Sequence, residues 1–107
     1  MKIDFISKNV LKRLKTREKI DMILRLVKNN TIIVLEGNLS PGEQIELVKE
    51  TMRQIDPLSF IGVEIIDFTN AEKYGAAKNT ASLTIIAPGG KVEVIKKTPN
   101  YLSMQIS

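Results

Sequence analysis

The chain has 107 residues, 43% of them hydrophobic and 26% charged, with 16 Lys and Arg against 12 Asp and Glu for a net charge of +4. This length suits one domain with a single core, and charges so mixed in sign exclude an obligate polyanion binder of the histone-tail kind. Because Cys, His and Trp are all absent, disulfides, thiolate metal sites and His-based hydrolytic triads are excluded as well.

Ile3 and Phe5 alternate with Lys2 and Asp4, which predicts a first strand ending near Ile6 with Phe5 in the core. Ser7 offers an N-cap, and Val10, Leu11 and Leu14 give a short amphipathic turn. Thr16 is the expected cap of a longer helix in which Ile20, Ile23, Leu24 and Val27 make one apolar stripe. Asn29 and Asn30 suit its end, since Asn tolerates the left-handed conformation found there. The β-branched and apolar run from Thr31 to Leu35 predicts a strand covered on both faces.

Gly37 and Asn38 turn the chain, and Ser40, Pro41, Gly42 and Glu43 match a capping box with Pro at the first helical position. In the helix that follows, Ile45, Val48, Met52 and Ile55 fall at helical spacing and are assigned to its interior side. Glu46, Lys49, Glu50 and Arg53 are assigned to the wet side. Pro57 ends the helix by disfavouring helical backbone at Asp56. Alternation from Ile61 through Val63 and Ile65 predicts a third strand running to about Phe68.

Thr69 to Thr80 is polar, without a clear period, and long for a connection, so residues 69–80 are expected to form a mobile or functional loop. Leu83 and Ile85, then Pro88, Gly89 and Gly90, then Lys91 to Lys96 carry a hairpin signature. Leu102, Met104 and Ile106 alternate in a last short strand. The order β-α-β-α-β-β-β predicts parallel pairing of the first three strands through right-handed crossovers. The expected fold is a single domain over residues 1–107: a two-layer α/β (α+β) sandwich with a mixed sheet of five to six strands. Both main helices lie on one face and the other face is partly open or paired to a second subunit.

Charge is uneven along the chain: residues 1–30 carry +6, residues 31–70 carry −5 and the remainder carries +3. Lys8, Lys12, Arg13, Lys15, Arg17 and Lys19 form the candidate polyanion-binding cluster, since clustered cations release counterions from phosphates. A solvated helix face is the plain alternative. With Phe5 assigned to the core and Tyr74 and Tyr101 far off, no aromatic interleaves the cluster, which argues against base stacking on a sheet.

Glu36, Glu64 and Asp67 sit near strand ends and would suit a magnesium ion if they converged, though acids there more often take turn hydrogen bonds. The stretch GNLSPGE lacks the Gly-Lys-Ser/Thr end of a P-loop, and no GxGxxG occurs. The helix start at Ser40 offers N–H groups to an anion, but Glu43 in its first turn would repel one, so capping is the preferred reading. No catalytic, cofactor-binding or metal-binding residue is assigned. No run approaches the roughly 20 apolar residues of a membrane span, and the N-terminus is too interrupted by charge for a signal peptide, so a cytoplasmic protein without a membrane partner is expected.

The stretch LEGNLSPGEQIELVKETMRQID, followed by FIGVEIIDF, resembles an archaeal family of about this length classed as a domain of unknown function. Its members read LEGGLTPEEE over the same turn and GIEIE in the next strand. Leu35, Glu36, Gly37, Pro41, Glu43, Thr51, Met52, Gly62 and Glu64 match, while Asn38, Ser40, Gly42, Gln44 and Ile45 depart. The similarity extends more loosely over nearly the whole chain. It implies no assigned activity and no site residues. Because the family's genes stand near those of an Era-like GTPase and a zinc-ribbon protein, it implies an accessory role around RNA or ribosomes.

The leading functional expectation is a non-enzymatic interaction module that docks a protein partner, such as that GTPase, through the open sheet face or the 69–80 loop. The second is RNA binding through Lys12, Arg13, Lys15, Arg17 and Lys19. A magnesium-dependent enzyme using Glu36 and Asp67 is a distant third. Homodimerisation through an uncovered sheet face or edge strand is a further possibility.

Overall fold

The computed structural model describes residues 1–70 and 81–107. The expected loop over residues 69–80 lies outside the described residues, apart from Thr69 and Asn70, which continue a strand.

β1 (Lys2–Ile6) lies parallel to β2 (Thr31–Glu36), with Lys2 opposite Thr31 and Ile6 opposite Leu35. Between them run the one-turn helix α1 (Lys8–Leu11) and the 13-residue α2 (Thr16–Lys28). Ser7 Oγ accepts the Val10 N–H at 3.4 Å, and the Glu36 carboxylate reaches across to accept the Lys8 N–H at 2.7 Å. Orphan donors of the short helix are thereby satisfied. The cap of α2 is Lys15, one residue earlier than expected. The Lys15 N–H donates to the Glu18 carboxylate at 3.0 Å, whereas Thr16 already has helical backbone.

Ile20, Ile23, Leu24 and Val27 are buried, as their spacing predicts, and Asn30 leaves the helix at φ 59°. Thr31, Ile32, Ile33 and Leu35 are all buried, so β2 is covered on both faces.

α3 (Pro41–Gln54) opens on the predicted capping box. Ser40 Oγ accepts the Glu43 N–H at 3.1 Å, and the Glu43 carboxylate accepts the Ser40 N–H at 2.9 Å. The helix is then turned the other way from the sequence expectation. Leu47, Glu50 and Thr51 face the protein, while Ile45, Val48, Met52 and Ile55 are exposed. Leu47 joins the core of Ile23, Leu24, Leu35 and Ile86. Thr51 donates its hydroxyl to the Leu47 carbonyl at 2.7 Å, and Glu50 accepts from Arg17, Arg53 and Gln54. Two polar residues can sit inward because each is satisfied there.

β3 (Val63–Asn70) and β4 (Ala81–Pro88) complete a four-stranded sheet in the order β1-β2-β4-β3, with β4 antiparallel to both neighbours. The first three strands therefore run in the same direction, but only β1 and β2 pair directly. β3 starts at Val63 and not Ile61, because Gly62 at φ 117° interrupts extended backbone.

The expected hairpin between β4 and the next strand does not form. Ile85, Ile86 and Ala87 are buried, which suits a central strand paired along both edges. The Pro88–Lys91 turn instead carries the chain to the other face of the sheet, where β5 (Val92–Thr98) pairs antiparallel with β6 (Tyr101–Ile106).

The mixed α/β class and element order agree with the sequence, with the six strands among the described residues divided four and two. The helices cover one face of the larger sheet. The β5–β6 hairpin covers part of the other through Val92, Leu102 and Met104, packed on Ile32, Ile85 and Ala87. This second core stops at β2. On edge strand β1, Ile3 and Phe5 are each 60% exposed, so Phe5 lies outside the core contrary to expectation. Ile106, expected beside Leu102 and Met104, is also exposed.

Candidate functional site

The structure divides the predicted basic cluster. Arg17 bridges helices: its guanidinium lies 3.2 Å from Glu50 on α3 and 3.3 Å from Asp21 on α2. Lys19 is bound to Glu43 at 2.5 Å, a second brace between the same helices. The bond to Glu50, reinforced by Asp21, raises the Arg17 pKa above its ordinary value. In return Arg17 first, then Gln54, lower the Glu50 carboxyl from 4.5 to about 2. Burial works against the charge on Glu43, but the bonds from Lys19 and Ser40 outweigh it and hold the group below the usual carboxylate range. Arg17 and Lys19 thus pair with carboxylates of the fold, Arg17 on the surface and Lys19 partly buried. Lys8, Lys12, Arg13 and Lys15 are exposed and, among the described residues, enter no ion pair.

Lys8, Lys12 and Lys19, with the turn Gly37–Leu39, line a cleft of about 210 Å³ at the carboxyl ends of β1 and β2. Gly37 stands at φ 91°, and a Cβ placed on it would meet Lys8 Cε at 3.7 Å. The aliphatic stem of Lys8 therefore lies over the glycine, and its ammonium projects beyond it.

The second surface is the outer face of α3. Ile45, Val48, Met52 and Ile55 follow one another at steps of three, four and three, and Met52 is 69% exposed. The stripe continues past the helix end. Ile55 Cδ1 lies 3.8 Å from the Cβ position of Gly62, with Ile61 exposed beside it and Leu58 97% exposed at the tip of the connecting turn. At the other end, Pro41, Gln44, Ile45 and Val48 border a shallow groove. Monomeric soluble proteins seldom expose contiguous apolar surface of this kind unless it is used. Sequence periodicity found the stripe and assigned it to the wrong side. The available signal was Leu47, whose i, i+4 partner Thr51 can return its hydroxyl to the Leu47 carbonyl and so be buried.

The three strand-end carboxylates are separately committed. Glu36 accepts from Lys8 N–H, Glu64 accepts from Gly90 N–H at 2.7 Å, and Asp67 lies 3.1 Å from the Thr84 hydroxyl. No group of three metal-ligating side chains occurs among the described residues. No helix in the described residues is long and apolar enough to cross a membrane.

Neither the curated proteins nor the solved structures provide a match to this chain. Over residues 11–107, from the last residue of α1 through β6, it matches the family described as origin-associated protein OapB, and the chain belongs to that family.

Proposed function

We propose that this chain is a non-enzymatic interaction module of the cytoplasm that seats an amphipathic helix of a protein partner along the outer face of α3. The observation that carries the reading is the exposed stripe Ile45, Val48, Met52 and Ile55. Its three-four-three spacing presents a ridge suited to helix–helix packing. The β5–β6 hairpin already covers part of the helix-free sheet face, so this reading rests on the α3 ridge in place of that face. Lys49 borders the groove at the start of the stripe, which favours a partner helix with apolar residues at i, i+3 and i+7 and an acidic flank.

The resemblance to archaeal proteins encoded beside an Era-like GTPase makes that GTPase the first partner to test. The family description adds an association with an origin, which fits an adaptor working on or near nucleic acid.

The test is affinity capture on nuclease-treated native extract, followed by reconstitution of the captured partner with purified protein and hydrogen exchange on the complex. Wild-type protein is expected to retain the partner, to lose it on Met52→Asp, and to show new amide protection across α3. Retention that ignores Val48→Asp and Met52→Asp, or protection confined to other elements, would overturn the reading.

A further inference from the structure

The cleft beside α1 is a separate surface from the α3 stripe, and its chemistry is different. We propose that it holds a backbone phosphate of a single-stranded nucleic acid, with Lys8 and Lys12 as the contacting cations.

Lys8 and Lys12 stand one helical turn apart and both line the cleft, so two ammonium groups are available to one anion. Neither enters an ion pair among the described residues. The opposing charges are largely spent: Lys19 is matched by Glu43, and Glu36 accepts the Lys8 backbone N–H. Glu36 remains an anion in the wall. Two unmatched lysines outweigh it, and exposed Arg13 and Lys15 continue the positive track along the chain toward α2. The cleft opens outside the carboxyl ends of parallel strands, where open α/β sheets leave a crevice for ligands.

A lone phosphate would meet only two exposed lysines here, so affinity has to come from a polymer that engages the whole track. An exposed aromatic ring points to single strands. Phe5 lies on the opposite face of β1, 60% exposed and three residues before Lys8. At a strand rise of about 3.3 Å per residue its backbone lies about 10 Å along the chain from that of Lys8. A strand passing over the end of β1 can set a phosphate in the cleft and a base on the ring, and bases stack on aromatics without regard to sequence.

Fluorescence anisotropy of labelled RNA, DNA single strands and duplex DNA of about 20 nucleotides, titrated between about 50 and 200 mM salt, tests this. The Lys8→Gln/Lys12→Gln variant is expected to bind single strands at least tenfold more weakly, with the log–log salt slope flattened by about 0.7, the release from the one single-strand phosphate held in the cleft. Phe5→Ala should weaken single-strand binding about tenfold, leave the slope alone and spare duplex binding. Lys91→Gln/Lys97→Gln removes the same charge elsewhere and should leave the slope within error. A preference for RNA over DNA would assign the ligand to RNA through its 2′-hydroxyls, and equal affinity would assign it to the shared backbone.

The proposal is overturned by absence of binding at low salt, by an unchanged slope in the cleft variant, or by equal loss in the distant control. Should the double variant melt early, Lys12→Glu alone, at an exposed helix end, provides the same readout. Loss of α3 docking by Met52→Asp with nucleic-acid binding intact would show that the two surfaces act separately.

Discussion

α2 and α3 lie side by side, and each carries an apolar stripe at helical spacing, yet they use it in opposite ways. α2 buries Ile20, Ile23, Leu24 and Val27, whereas α3 turns Ile45, Val48 and Met52, with Ile55 just past its end, to solvent and buries Leu47, Glu50 and Thr51. The difference lies in what each helix packs on. α2 lies over the central strands β2 and β4 with an apolar floor beneath it, while α3 is held to α2 through the Arg17–Glu50 and Lys19–Glu43 bridges. Periodicity identifies an apolar stripe. The partners available to polar groups decide which way the stripe faces, and α3 is left with its apolar side chains exposed.

The contrast should be largest in the core. Ile23→Ala and Leu47→Ala are each expected to cost about 2–5 kcal/mol, read as a lowered denaturant midpoint. Val48→Ala and Met52→Ala should stay within about 0.5 kcal/mol in the isolated protein. Comparable losses in both sets would erase the distinction between the two faces.

Glu50 sharpens the comparison through pH. Its carboxyl is lowered from 4.5 to about 2 in the folded chain, so its stabilisation is complete above about 4.5 and is lost as pH falls toward about 2. Melting temperatures of Glu50→Gln should lie below wild type at neutral pH, and the gap should close across that acid window. A constant gap would mean that the Arg17 bridge is not what seats α3.

Ser40→Ala should cost about 1 kcal/mol by removing the cap of α3 while leaving both faces of the helix unchanged. Lys12→Glu, at an exposed helix end, should change stability by less than about 0.5 kcal/mol. A larger loss there would mean that the cleft is part of the fold's support and not a surface held in reserve.

What could be read in advance was set by local chemistry. The Ser7 and Ser40 caps, the α2 stripe, the left-handed exit at Asn30 and the doubly covered β2 each depend on residues a few positions apart. The facing of α3 depends on Glu50 meeting Arg17, 33 positions away, and no periodicity carries that information. The Pro88-Gly89-Gly90 turn was legible as a turn but not as a crossing between sheets, because a turn reverses the chain without choosing the edge it returns to. Phe5 was misplaced for a related reason: alternation marks a strand's two faces but not whether the strand sits at an edge. The same limit applies to the basic cluster, whose division into braced Arg17 and Lys19 and exposed Lys8, Lys12, Arg13 and Lys15 appears only once α3 is docked.

The position of β4 bears on how the chain is made. β2 ends at residue 36, and the strand that pairs with its second edge begins only at residue 81. At about 5–20 residues per second of synthesis, the nascent protein carries an apolar strand with one open edge for about 2–10 s before β4 emerges. Through that interval α2 and β1 can assemble on β2, but β3 has no neighbour to join. A chaperone that binds unpaired strand edges therefore has its best opportunity at Thr31–Glu36, during translation and not after it.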